Sequence, residues 1–209
     1  MKQFLLGAAS VLGLAVVAGF SFVQAGGLDF AADTAHSDGL TKLIVWAREQ
    51  SITKQANDVV PPADLAAAER IRRGAGNYDA MCVGCHLSPG TEDSEMRKGL
   101  YPVPPNLSLP ATATDASGSD RRRFWIIKHG IKGSGMPAWA KGGMDDEAIW
   151  DLTAFIKVLP RLSANEYQAS VAASEGHSHA GMVSEPSVQQ PAQGHKHEGH
   201  SQRRHSHSH

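Results

Sequence analysis

The sequence has few aromatic residues, almost no net charge and only two cysteines. Phe, Trp and Tyr make up 6% of its 209 residues and the formal charge is −1, so the basic surface of a nucleic-acid-binding protein is not expected. Two cysteines within one pentapeptide cannot form a disulfide framework. Strand-like alternation is missing and helical periodicity takes its place, which predicts one all-α domain with appendages.

One long apolar run lies at the N-terminus. Residues 4–23 carry no charge, follow Lys2 and end near a small-residue cleavage site at Ala25. The run has the length of a bilayer span, about 20 residues, whereas the apolar core of a signal peptide has roughly 7–15. We interpret residues 1–25 as a membrane anchor or a cleaved signal peptide. The remainder is then periplasmic, either tethered to the inner membrane by residues 4–23 or soluble after cleavage.

Helices are predicted in two further segments. In residues 26–63, a docking helix or stalk ends before Pro61, and its apolar face consists of Leu40, Leu43, Ile44 and Ala47. Residues 64–162 form the main domain, with one helix leading to the cysteines and another over residues 121–129. Its last helix, residues 145–159, has an inward face of Ala148, Ile149, Leu152, Phe155 and Ile156.

Residues 163–209 lack apolar periodicity and are rich in Ser, Gln, Gly and His. Such a segment buries too little apolar surface to offset chain entropy, so we predict a disordered tail. Its closely spaced histidines suit copper, nickel or zinc, namely His177, His179, His195, His197, His200, His205, His207 and His209. A solvated tail without a metal function is the alternative.

The two cysteines belong to a C-x-x-C-H motif, Cys82-Val83-Gly84-Cys85-His86. This spacing is the attachment signature of c-type haem, because one backbone turn places both sulfurs at the vinyl groups and points the histidine at the iron. A thiol–disulfide redox motif is expected beside a βαβ pattern, and a zinc site needs more ligands nearby. The motif predicts one covalent haem c with His86 as an axial ligand.

The candidate for the sixth iron ligand is Met136, in the glycine-rich loop of residues 133–139. Methionine–histidine ligation suits electron transfer, whereas a vacant sixth position suits ligand binding. Met144, at a helix start, is the second candidate, and His129 is a weaker one. A lone methionine is otherwise core filler. Trp139 is expected to contact a haem propionate or to pack in the domain.

Over residues 70–160 the sequence resembles the class I, mitochondrial-type c-type cytochromes. The matching positions are Gly74, Tyr78, Leu152, Phe155 and the tripeptide Pro105-Asn106-Leu107. The cysteine motif with its flanks and the methionine loop are also similar to those of membrane-tethered single-haem bacterial cytochromes. The resemblance implies helices packed around one haem, with the Pro105 carbonyl orienting His86 and Met136 as sixth ligand. It does not extend to the histidine-rich tail.

The predicted function is electron transfer between a donor and an oxidase, reductase or dehydrogenase, by a carrier that is not itself an enzyme. A metal-handling haem protein that uses the tail and a haem ligand sensor are the alternatives. Near the methionine loop, residues 117–143 have a net charge of +5. The charge is the sum of one acidic and six basic residues, Asp120 and Arg121, Arg122, Arg123, Lys128, Lys132 and Lys141. It predicts either a docking surface for an acidic-faced redox partner or a surface that is simply solvated.

Overall fold

A computed structural model describes residues 1–110 and 119–179. This part of the chain is helical and has no strand, so the all-α prediction is confirmed. The helices are α1 (Lys2–Gln24), α2 (Asp38–Ala56), α3 (Ala68–Met81), α4 (Val83–His86), α5 (Glu95–Lys98), α6 (Asp120–His129), α7 (Asp146–Val158) and α8 (Ala164–Ala172).

Helices α3 and α7 cross closely and form the centre of the domain. A Cβ atom at Gly74 would collide with the main-chain carbonyl of Asp151, so only glycine allows this approach. Tyr78 packs on Phe155 with ring centroids 5.5 Å apart, and Leu152 is fully buried. The inward face predicted for α7 is confirmed, and its N-cap is Asp145, whose carboxylate accepts the Ala148 N–H.

A buried carboxylate joins the same two helices. Asp151 accepts hydrogen bonds from Arg73 Nε at 2.6 Å and from Arg70 Nη1 at 3.1 Å. Its side chain is 1% exposed, so the arginines compensate for a desolvation that would otherwise be costly. The contact of Asp151 with the two arginines fixes how α7 lies along α3.

Helix α2 packs on α6 with the end that is farther from α1. Ile52 and Ala56 are buried there, and Glu49 forms an ion pair with Arg122 at 2.7 Å. The helix ends at Ala56, before the prolines that were predicted to stop it. The apolar face predicted from the sequence is a different one, and it is exposed.

The ordered domain extends beyond residue 162, which corrects the predicted start of the disordered tail. Ser163 and Glu166 form a capping box at the start of α8. Tyr167, 1% exposed, packs on Tyr78 and Phe155 and donates to Asp79 at 2.7 Å. This aromatic side chain supplies the apolar burial that the composition of the segment did not suggest.

After α8, residues 173–179 form what we call the C-terminal strap, which lies along α3. The Ser178 N–H donates to Asn77 Oδ1 at 2.8 Å, and Arg72 donates to the Ala173 carbonyl at 3.2 Å. A Cβ atom at Gly76 would collide with the carbonyl of Gly176. The remainder of the predicted tail, residues 180–209, lies outside the described residues.

Helix α1 is long and apolar enough to cross a membrane, and none of its residues is buried. A signal sequence would meet the same criteria. The helix is therefore consistent with either of the two interpretations made from the sequence.

Candidate haem-binding site

The two cysteines and the histidine of the motif lie on a single turn of helix. Cys82 is the C-cap of α3, and its carbonyl accepts the N–H groups of Cys85 and His86 at 3.1 and 2.8 Å. Both thiols are free. Two sulfurs and one imidazole are thus presented by one compact backbone segment.

Burial raises the pKa of the Cys82 thiol to about 12, and Cys85 adds to the shift. A thiol of a redox C-x-x-C motif has a lowered pKa instead, because the thiolate is the reactive form. This environment opposes the thiol–disulfide alternative. It also keeps Cys82 in the apolar cluster of the domain, where a porphyrin edge would pack.

The imidazole of His86 is fixed from two sides. Its Nδ1 lies 2.9 Å from the carbonyl of Pro105, the contact that the family resemblance implies. The Leu107 N–H donates to the His86 carbonyl at 3.0 Å. Burial lowers the pKa of His86, and the charge of Arg97 lowers it further, against the Pro105 hydrogen bond. The neutral ring therefore donates Nδ1–H to Pro105, and its Nε2 lone pair is available to a metal.

Arg97 supports the Pro105 loop, a role that the sequence did not predict. Its Nε donates to the Pro104 carbonyl at 2.9 Å, and its Nη1 pairs with Asp93 at 3.0 Å. The arginine and aspartate are four residues apart around the short helix α5, a spacing that indicates an ion pair but not its target. The pair stiffens the loop that holds His86.

Tyr78 also supports the motif. Its hydroxyl donates to the Leu87 carbonyl at 2.6 Å, and Leu87 has a φ of 64°, unusual for a side chain of this kind. The hydrogen bond holds the chain in that conformation as it leaves His86. The aromatic position of the family pattern thus links the α3–α7 centre to the motif.

The methionine loop turns back onto α6. Trp139 N–H donates to the Ile127 carbonyl at 3.1 Å, and Ile131 N–H donates to the Met136 carbonyl at 3.2 Å. Gly130, with a φ of +66°, leaves room for the main chain at Met136 and Pro137. Met136 is partly buried against the apolar cluster that contains Cys82.

The other candidate ligands lie in different surroundings. Met144 is 2% exposed and belongs to the core. His129 is exposed at the end of α6, with its ring centroid 4.9 Å from that of Trp125. Trp139 packs against the core, in agreement with one of its two interpretations. These positions favour Met136 over Met144 and His129 as the candidate sixth ligand.

Most of the predicted basic residues are engaged within the protein. Arg122, Arg123 and Lys128 form ion pairs with Glu49, Asp120 and Asp146, and Arg121 donates to the Asn57 carbonyl. Within the described part of the chain, Lys132 and Lys141 remain exposed and without an ion pair. The basic surface near the methionine loop is therefore smaller than the net charge of the segment suggests.

The first two histidines of the tail are part of the strap. The His179 carbonyl accepts the Asp145 N–H at 2.8 Å, and the rings of His177 and His179 have centroids 6.0 Å apart. Among the described residues there is no cluster of three or more metal-ligating side chains. The remaining predicted tail ligands lie outside the described residues, namely His195, His197, His200, His205, His207 and His209.

Residues 69–156 match the family model described as "Cytochrome C oxidase, cbb3-type, subunit III". The chain carries a c-type cytochrome domain. No curated protein and no solved structure is detectably similar to the chain. The match spans α3, the cysteine motif, the methionine loop and most of α7, which are the elements that form the candidate site.

The residues of the site fit a covalently bound haem c. Free thiols are available at both attachment positions, and the imidazole that follows them has its Nδ1 occupied. A c-type cytochrome domain performs haem-based electron transfer, so the protein is an electron carrier.

Proposed function

We propose that this protein transfers single electrons through one haem that is attached to Cys82 and Cys85 and ligated by His86 and Met136. The fixed imidazole supports this most strongly, because Pro105 occupies Nδ1 and leaves Nε2 for iron. When bound, the haem supplies a one-electron Fe(III)/Fe(II) couple, and a methionine ligand raises its potential. The class I assignment is part of the same proposal.

The protein's own residues orient the ligands and exclude water from them. Val83, Leu107 and Met136 are partly buried and pack against the apolar cluster that contains Cys82. Gly130 lets the methionine loop close on α6, and main-chain hydrogen bonds hold the backbone of the loop that carries Met136. This arrangement favours a filled sixth position over the vacant one of a ligand sensor.

Acid-acetone extraction tests the covalent attachment. Wild-type haem is expected to stay with the denatured polypeptide, because thioether bonds survive the treatment. Replacing both cysteines (Cys82→Ala with Cys85→Ala) should make the haem fully extractable. Haem that remains bound to this double variant would contradict the attachment site.

We further propose that α1 tethers the domain on the periplasmic side of the inner membrane and that the partner is a membrane-bound oxidase. The family description names a cytochrome c oxidase, and the apolar α1 suits a tether. The exposed Lys132 and Lys141 lie in or next to the methionine loop, where an acidic partner surface would be attracted. The carrier itself catalyses no reaction in this proposal.

Rates of oxidation by oxidase-containing membranes test the docking side. The change Lys132→Glu with Lys141→Glu should slow the oxidation of the reduced protein at low salt, since rim charges act on the association rate. The control is Lys98→Glu, which alters an exposed lysine on α5. Equal rates for both variants would assign the docking to another surface.

Copper handling at the strap is a second candidate function. The His179 carbonyl in the strap accepts the Asp145 N–H, close to the chain that follows the methionine loop, and the His177 ring lies 6.0 Å from the His179 ring. Two imidazoles on alternate residues suit Cu(II). Cu(II) bound at the strap would accept one electron from the ferrous haem to give Cu(I) and ferric haem.

Anaerobic mixing of the reduced protein with Cu(II) tests this candidate. The change His177→Ala with His179→Ala should slow haem oxidation, whereas Ser178→Ala should not. Oxidation that is equally fast in both variants would exclude an electron-transfer role for these histidines.

A further inference from the structure

The half of α2 that is nearer to α1 has an exposed apolar face. Leu40, Leu43 and Ile44 are spaced as neighbours on one side of the helix and are 45%, 58% and 46% exposed, and Trp46 beside them is 62% exposed. Contiguous apolar surface of this kind marks a contact with a membrane or another protein. The haem site does not account for it.

The described residues outside α2 leave this face uncovered. Ile52 and Ala56 hold α2 against α6, and they lie roughly 120° around the helix from Leu40 and Ile44 at 3.6 residues per turn. The Glu49–Arg122 ion pair and the hydrogen bond from Arg121 to the Asn57 carbonyl fix the same rotation. The apolar face therefore points away from the domain.

The position of the face indicates lipid as its occupant. Residues 25–37 separate α1 from α2, and thirteen extended residues reach at most about 45 Å. Leu28 and Phe30 in this segment are also exposed. The same side of α2 becomes polar farther from α1, where Ser51 and Lys54 replace the apolar residues.

We propose that Leu40, Leu43, Ile44 and Trp46 lie in the interfacial layer of the bilayer that α1 enters. An amphipathic helix buries its apolar side at this depth, and tryptophan is enriched there. The inference rests on the proposed anchoring by α1. It makes α2 a helix that lies on the membrane with the haem domain on its other side.

This contact would orient the haem site relative to the membrane. His36 lies just before α2, and its main-chain N–H donates to the Tyr101 hydroxyl at 3.2 Å. The rings of the two residues pack edge to face. The adjacent Leu100 lies against Gly135 in the methionine loop. The methionine side of the site is thus connected to the membrane-facing end of α2, where a membrane-bound redox partner would be reached.

Nitroxide accessibility in vesicles of phosphatidylethanolamine and phosphatidylglycerol tests the proposal. The full-length protein carries one label at Leu43→Cys or, as a matched control about 160° around the same turn, at Val45→Cys, a position that is 39% exposed. The haem is kept ferrous and low-spin so that it does not broaden the signal. The label at Leu43→Cys should favour collision with oxygen, which concentrates in lipid, over a water-soluble nickel chelate, and Val45→Cys should show the reverse.

Two results would overturn the proposal. High nickel accessibility at both positions means that the face is solvated, and low accessibility to both reagents at Leu43→Cys means that a second copy of the chain covers it. A third label, Leu12→Cys in α1, separates failure of this inference from failure of the anchor. Oxygen-accessible Leu12→Cys with solvated Leu43→Cys leaves the anchor intact, and nickel-accessible Leu12→Cys contradicts the anchor itself.

Discussion

Helix α3 makes two close contacts only two residues apart, and they differ in kind. At Gly74 it meets α7, a regular helix that the family match includes. At Gly76 it meets the strap, an irregular segment beyond that match. The first contact is part of a packed core with a buried ion pair, whereas the second is made by main-chain and polar groups near the surface. The contact at Gly74 therefore builds the core of the domain, whereas the contact at Gly76 attaches the strap to its surface.

The largest effect is expected from Gly74→Ala. Its Cβ would meet the main chain of Asp151, so α3 and α7 must move apart along their whole contact. We expect a loss of more than about 4 kcal/mol in the free energy of unfolding, which is exceptional for one substitution, despite the roughly 1 kcal/mol that alanine adds to helix propensity. Urea unfolding, or failure to recover holoprotein, measures it. A variant with near-normal stability would contradict the close approach of α3 to α7 at Gly74.

Truncation after Leu162 should have the next largest effect. It removes Tyr167 from its contacts with Tyr78 and Phe155, and loss of a buried aromatic side chain costs about 3 kcal/mol. Truncation after His179 is the matched control and should leave the thermal midpoint unchanged. Equal midpoints for the two truncations would restore the original prediction of a tail without structural contacts from residue 163.

The smallest effect is expected from Gly76→Ala. The same substitution that disrupts α7 docking at Gly74 displaces only the strap here, and the lost hydrogen bonds are offset by helix propensity. The net change in stability should stay within about 1 kcal/mol. Limited proteolysis should nevertheless cleave the strap faster than in wild type. An unchanged cleavage rate would show that the strap does not depend on this close approach.

The regular part of the fold was predictable because its signals are periodic. The inward face of α7, the breaks after α2 and the pairing of Tyr78 with Phe155 follow from residue spacing and from the family resemblance. At the site, the motif predicted the two cysteines and His86, and the resemblance supplied the partner, Pro105, that lies against the imidazole.

The unpredicted part is held by contacts between residues far apart in sequence. Helix α8 was not predicted because its segment is rich in polar residues. The spacing of Ser163 and Glu166, which form a capping box, and the isolated Tyr167 were nevertheless signals of a docked helix. Arg97 donates to a carbonyl of the Pro105 loop, and Arg122 on α6 pairs with Glu49 on α2, so these partners depend on how separate elements are placed. Net charge alone does not show whether an arginine is free at the surface, and in the folded protein Arg97, Arg122 and Arg123 form ion pairs.

The central claim is a haem iron held between His86 and Met136, and the far-red charge-transfer band of methionine-ligated ferric haem tests it most directly. The ferric wild-type protein should show the band, Met136→Ala should lose it and shift the iron toward high spin, and Met144→Leu, a core control, should keep it. A wild-type spectrum without the band, or a band that persists in Met136→Ala and disappears in Met144→Leu, would contradict the account.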